Sequence, residues 1–346
     1  MKLKLLTLVM TLGLTTFIAE AQTPTNEENT TTKLQKVKEF CDKHLNLSGY
    51  LQTGFEWNEI GGSSFYVKRA RLTLTGDLLK EKFDYRLQVD MAGSPRITDF
   101  YIRFKPLNQI NVELGQFKVP FAVENDTYGP TTFEFIEYSY LTTYLVRNNA
   151  LYDGVAATGR DIGLQLYGSF FERDGYSILN YNLAVLNGSG INVKDNNKSK
   201  DFVARLIVKP IKGLSISGSY LFGESRFDNN NYMNSSRWSV GAVYDVRHWI
   251  ARTEFAQADF GGNRTDAFYI LGGYHFDKPW SVVARYEFIN DEAKILSEDR
   301  ITLGGVYKPF NFLRLQLNLS YTMYNQTPHQ PKQNSLGFGL MATAMF

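Results

Sequence analysis

Arginine recurs on the polar face of alternating segments throughout this chain. Arg69 and Arg71 stand two residues apart, and Arg86, Arg103, Arg205, Arg252, Arg285 and Arg314 follow at corresponding positions. A guanidinium stays charged and binds oxyanions by paired hydrogen bonds, so a succession of them could pass anions between weak sites. Asp90, Glu113, Glu254 and Glu287 share the same face. The bland alternative is that neighbouring Arg and Glu pair and merely stiffen a wall. Clustering of Arg69, Arg71, Arg86 and Arg103 on adjacent segments favours a basic surface instead. Other chemistry is poorly supported. His44, His248, His275 and His329 are scattered without metal-ligand spacing, so no metal site is expected. Gly188-Ser189-Gly190 is half a glycine motif with no helix after it, and neither G-x-S-x-G nor H-E-x-x-H occurs. An enzyme is therefore not expected, and no cofactor is implied.

The elements that carry these residues have period two. Leu313, Leu315, Leu317 and Leu319 alternate with Arg314, Gln316, Asn318 and Ser320. About 16 such segments can be placed, from 47–56 and 65–77 to 312–324 and 334–346. An arginine facing lipid costs about 2–4 kcal/mol at the bilayer midplane, so alternation alone turns the arginine face inward. Short turns follow the even segments, with a Lys-Pro pair at four of them, and Pro suits a turn better than a strand centre. Connections after odd segments are longer and polar. This asymmetry is that of a transmembrane antiparallel β-barrel with both termini periplasmic. Sixteen strands enclose more space than side chains fill, leaving an aqueous channel. Phe104, Trp249, Phe276, Trp280, Phe310, Phe312 and Phe346 track strand ends, as an interfacial girdle would.

The ends of the chain fit the same picture. Lys2 and Lys4 precede an apolar run from Leu5 to Ala19 and a small-x-small site at Ala19-Glu20-Ala21, so 1–21 reads as a signal peptide. Removing it leaves 35 basic against 34 acidic residues, because Lys2, Lys4 and Glu20 go with it. Such balance gives no footing for nucleic acid. Residues 22–46 read as a polar lead and one short helix, a periplasmic segment that holds the lone Cys41. The barrel is 47–346. Its last segment alternates to a terminal Phe346, which resembles the signal by which outer-membrane barrels are recognised for assembly.

Segments two to five carry a family resemblance. Phe65-Tyr66-Val67-Lys68-Arg69-Ala70-Arg71-Leu72, Tyr85-Arg86-Leu87-Gln88-Val89-Asp90, Asp99-Phe100-Tyr101-Ile102-Arg103-Phe104 and Gly115-Gln116-Phe117-Lys118-Val119-Pro120-Phe121 resemble the phosphate-selective outer-membrane porin family of the O and P type. The resemblance implies a homotrimeric, all-β, sixteen-stranded porin in outer-membrane lipid, with a long inserted constriction loop. The longest connection, 118–160, is where that loop would lie, and a loop of this length is usually functional. It carries Glu124, Asp126, Glu134, Glu137 and Asp153 against Lys118, Arg147 and Arg160. An acidic loop facing a basic wall would set up a transverse field. The function expected is passive diffusion of small hydrophilic solutes, with a mild anion preference. Alternatives are a phosphate or polyphosphate channel, which needs cations at the constriction, a plugged adhesin or scaffold barrel, and a carbohydrate porin. In the last, inward aromatics such as Tyr101 or Tyr167 would stack sugars, although no continuous aromatic track is visible.

Overall fold

Alternation becomes strand wherever the sequence shows it, because each polar face meets water or a partner and each apolar face is left outside. The computed structural model describes residues 45–79, 82–147, 158–195, 197–226, 232–277, 279–325, 327, 331 and 333–346. The expected signal peptide at 1–21, residues 22–44 with Cys41, and Asp153 lie outside the described residues. Residues Asn46–Phe346 form one compact unit. Its first strands are β1 (Asn46–Asn58), β2 (Gly62–Leu78), β3 (Phe83–Asp90), β4 (Arg96–Leu107) and β5 (Ile110–Lys118). After a long connection come β6 (Arg160–Arg173), β7 (Tyr176–Leu186), β8 (Asp201–Ile211), β9 (Leu214–Arg226) and β10 (Tyr232–Val246). Then follow β11 (Trp249–Phe260), β12 (Asn263–His275), β13 (Trp280–Asp291), β14 (Ser297–Phe310), β15 (Leu313–Tyr324) and β16 (Ser335–Met345).

Each strand pairs antiparallel with its neighbours in sequence, and β16 pairs with β1, so the sixteen strands close into a barrel. Gly49 N–H donates to Phe346 O at 2.9 Å and Phe346 N–H returns the bond at 3.0 Å. Closure leaves no unpaired edge. Phe100, Ile102, Leu114, Leu303 and Leu319 stand exposed on the outer face, where lipid is the solvent they suit. At the short-turn end, where β1 begins and β16 ends, aromatic rings pair up. Trp280 stacks on Tyr307 with centroids 4.0 Å apart, and Phe310 on Phe312 at 5.2 Å. No helix among the described residues is long and apolar enough to cross a membrane.

Three features depart from simple alternation. The Lys-Pro pairs were expected in turns, but Lys105-Pro106, Lys209-Pro210 and Lys308-Pro309 lie within β4, β8 and β14, just before the turn. At each the register passes over the pair. Proline has no N–H for the ladder, so the strand bulges around it and turns one or two residues later. Two connections after odd strands are also tight rather than long. The one between β1 and β2 is held by Asn58 Oδ1, which accepts from the Ile60 and Gly61 N–H groups. Between β11 and β12 the chain reverses at Gly261 and Gly262, both at positive φ (62° and 95°), as a two-residue hairpin prefers. Finally, the β1–β2 register slips between Gln52 and Thr53 and leaves Lys68 unpaired in the ladder. That bulge turns Lys68 and Arg69 to the same side. Thr98 is passed over in the same way opposite Gln88, so Thr98 and Asp99 both face inward.

Candidate permeation path

The described part of the connection between β5 and β6, chiefly 119–147, folds into the barrel. It contains two short helical pieces, α1 (Val123–Thr127) and α2 (Tyr140–Thr142), the latter running into a wider turn at Thr143–Arg147. Phe121, Phe133, Phe135, Leu141 and Leu145 are almost wholly buried. They pack on inward-facing Ile250, Ala256, Ala267, Tyr269 and Leu271 of β11 and β12, which join them in one hydrophobic cluster. The wall makes room with glycine. A Cβ on Gly241 would stand 2.8 Å from Val123 Cγ2, and one on Gly304 would stand 3.1 Å from Phe135 Cε1.

Polar side chains of the wall then hold the loop's backbone and charges. Glu254 accepts from Val123 N–H at 3.0 Å with each oxygen, Glu287 from Tyr140 N–H at 2.7 Å, and Asn318 from Ile136 N–H at 2.9 Å. Arg314 donates to Phe133 O at 2.6 Å, and Arg237 to Leu145 O at 2.7 Å. Arg205 pairs with Asp126. Arg252 pairs with Glu134 at 3.3 Å and lies 3.4 Å over the Tyr128 ring. Arg285 is 2.9 Å from Glu287 and 3.9 Å from Glu124, and Glu124 also accepts from Ser139 N–H and Oγ–H. Lys68, aimed inward by its bulge, pairs with Glu137. Breaking the buried Arg252–Glu134 pair from one side leaves an uncompensated charge, at a cost of about 3–5 kcal/mol.

The inward arginines therefore divide into two sets. Arg205, Arg252, Arg285 and Arg314 are buried beneath the loop and clamp it. Arg69, Arg71, Arg86 and Arg103 belong to β2, β3 and β4. The last three line a cavity of about 400 Å³ between the loop and the β2–β7 wall. Among the described carboxylates of the loop, only Asp126 borders this cavity, and it pairs with Arg205, so the acidic loop meets the basic wall at one point rather than along a face. Glu134, Asp126 and Glu137 are paired with Arg252, Arg205 and Lys68 where the loop docks.

Within the cavity every wall arginine has a carboxylate partner. Arg71 Nε is 2.8 Å from Asp90, Arg86 Nε 3.0 Å from Asp99, and Arg103 Nε 2.6 Å from Asp84. Arg160 shares Asp99 with Arg86, and Glu113 is 3.8 Å from Arg103. The pairs are not symmetric toward solvent. Arg86 and Arg103 side chains are 34% and 33% exposed, whereas Asp99 is 7% and Glu113 9% exposed. A permeant meets guanidinium groups with carboxylates behind them. Beside this arc, Arg69, Lys118 and Arg147 have no carboxylate within ion-pair distance among the described residues. Arg69 donates to Gln52 Oε1, Lys118 to Tyr128 O, and Arg147 to Asn125 Oδ1. Burial, with Arg160 and Arg69 nearby, pushes Arg147 down to about 10, so it is still a cation at neutral pH. Glu137 is held below the ordinary carboxylate range by the Lys68 ammonium beside it.

Several of these residues escaped sequence reasoning. Lys68 and Thr98 face inward only because of the bulges, for which two adjacent polar residues in a strand were the available sign. Arg237, Gln316 and Asn318 hold the loop from positions that read only as polar-face residues. The docking surface itself had a signal. Ala267-Phe268-Tyr269-Ile270-Leu271 is apolar on both faces, as a strand covered on both sides should be.

Comparison with known proteins accords with this geometry. Residues 52–248 match the family described as phosphate-selective porin O and P. No curated protein matches the sequence. Among solved structures, the chain is similar to an anion-selective porin from Comamonas acidovorans at a TM-score of 0.69 and 16% identity, over 87% of this chain and 99% of that one. It is similar to OprB from Pseudomonas putida at 0.66 and 12% identity, over 90% and 96%. The trimer form of OmpT from Vibrio cholerae is similar at 0.63 and 15% identity, over 87% and 99%. At such identities the likeness speaks to the fold.

Proposed function

The chain belongs to the phosphate-selective porin O and P family, and from that premise we propose how this porin of the outer membrane selects what crosses it. Small hydrophilic solutes diffuse through the arc between the loop and the β2–β7 wall, with a mild preference for anions. The carrying observation is the asymmetry of that wall: guanidinium groups reach the lumen while their carboxylates lie behind. Each guanidinium has five N–H donors, of which the carboxylate takes only some, so the rest are presented to solutes. Oxyanions are attracted without being trapped, because the neighbouring carboxylates cancel most of the charge. The loop sets the size limit. The short-turn end, with both termini, faces the periplasm, and the assembly is a homotrimer. The neighbour from Comamonas acidovorans is described as anion-selective and that from Vibrio cholerae as a trimer, in support of both points.

A second reading has its own observation. Lys118 faces the arc, and Arg147 lies close enough to Arg160 and to Arg69 for their charges to interact, while Lys118, Arg147 and Arg69 have no carboxylate at ion-pair distance among the described residues. Such a surplus beside the loop suits phosphate. Single-channel conductance in a planar bilayer, with the reversal potential in a KCl gradient and then added phosphate, separates the readings. Ohmic current with weak anion preference and no block establishes the general porin. Strong anion selectivity with block by phosphate replaces it with the phosphate channel, and absence of conductance rejects both in favour of a plugged barrel.

A further inference from the structure

A second cavity, of about 420 Å³, lies on the other side of the loop, toward the long-loop end of the barrel. We propose that it binds a neutral saccharide of one or two rings, as a site separate from the arginine-lined arc. The charges around it largely cancel. Glu137 is paired with Lys68, and Arg300 with Glu287 at 2.7 Å. Glu298 accepts from the Tyr140 hydroxyl. Glu56 remains, exposed at the mouth. An anion therefore finds no free cation here, unlike in the arc.

What the cavity offers instead is phenol rings and small uncharged polar groups. Tyr144 from the loop and Tyr66 and Tyr324 from the wall are half-buried, so each keeps part of a ring open to the space. Tyr140, beneath Arg300 at 4.1 Å, supports Tyr144 with ring centroids 5.9 Å apart. Along β14 and β15 runs a strip of Thr302, Ser320 and Thr322. A hydroxyl both donates and accepts, so such a strip matches sugar hydroxyls of either polarity without charge. Ring faces suit the C–H surfaces of a pyranose, while Glu56 accepts from paired hydroxyls. A purely apolar solute would leave the hydroxyl strip unsatisfied, at a cost in affinity.

Isothermal titration of the detergent-solubilised full barrel with maltose tests this. Saturable binding is expected, and Tyr144→Ala should weaken it about fivefold, the worth of one ring contact. Tyr144→Phe, which keeps the ring and the fold, should retain most of it. The KCl reversal potential of both variants should match that of the parent, and Arg86→Ser should leave maltose binding unchanged. Absence of saturable binding of glucose, maltose and sucrose overturns the proposal. So does binding that survives both Tyr144→Ala and Tyr324→Ala, or that is lost with Arg86→Ser, since the sugar would then sit elsewhere. Because the titration needs no current, a failed sugar site and a failed anion preference are read independently.

Discussion

At the scale of single residues, what separates one inward arginine from another is whether the loop covers it. Arg86 and Arg103 reach the lumen, so Arg86→Ser with Arg103→Ser should move the reversal potential in a KCl gradient toward the cation side. Arg314→Ser should leave selectivity near the parent value and instead leave the Phe133 carbonyl to Gln316 alone. The expected sign is noisier current and a lower unfolding temperature, with about 1.5–3 kcal/mol lost for a hydrogen bond to a charged group. The sequence showed the arginines and their face. It could not show which were covered, because Arg252 and Arg86 look alike until the loop's Glu134 is placed in space.

At the scale of elements, the sixteen strands were legible because lipid punishes any error in alternation, and the observed strands overlap the expected segments throughout. Departures lie where alternation breaks locally. Three of the four Lys-Pro pairs became bulges rather than turns, and Lys68 became the passed-over residue of β2. Both depend on how the partner strand pairs, which no single strand's sequence encodes. The Lys68 bulge gives a test. Deleting Lys68 restores uninterrupted pairing between β1 and β2 and removes the partner of Glu137. The barrel should still fold and migrate as a heat-modifiable band in electrophoresis, while its current becomes noisier as the loop loses its attachment to β2. A deletion variant that fails to fold would show that the bulge serves the wall rather than the loop.

At the scale of the whole molecule, net charge is nearly nil, so selectivity must come from local placement. Exposed guanidinium groups act through a water-filled space, where attraction is screened over about 10 Å at 0.1 M salt and about 3 Å at 1 M. The anion-to-cation permeability ratio should therefore fall toward one as KCl rises from tens of millimolar to molar. A ratio independent of salt would mean direct ligation at a dry site. The clamps on the loop bear on the order of folding. Val123 is joined to Glu254, Tyr140 to Glu287, Ile136 to Asn318 and Gln52 to Pro130, so the loop's anchors are spread from β1 to β15. Contacts so distant along the chain form late, after the entropy of closing the intervening segments has been lost. The loop cannot dock before the strands that bear its anchors have come round. Until then Phe133, Phe135, Leu141 and Leu145 remain an uncovered greasy segment inside a nascent cylinder, at risk of self-association. Assembly should thus end in two resolvable kinetic phases, closure first and internal docking second.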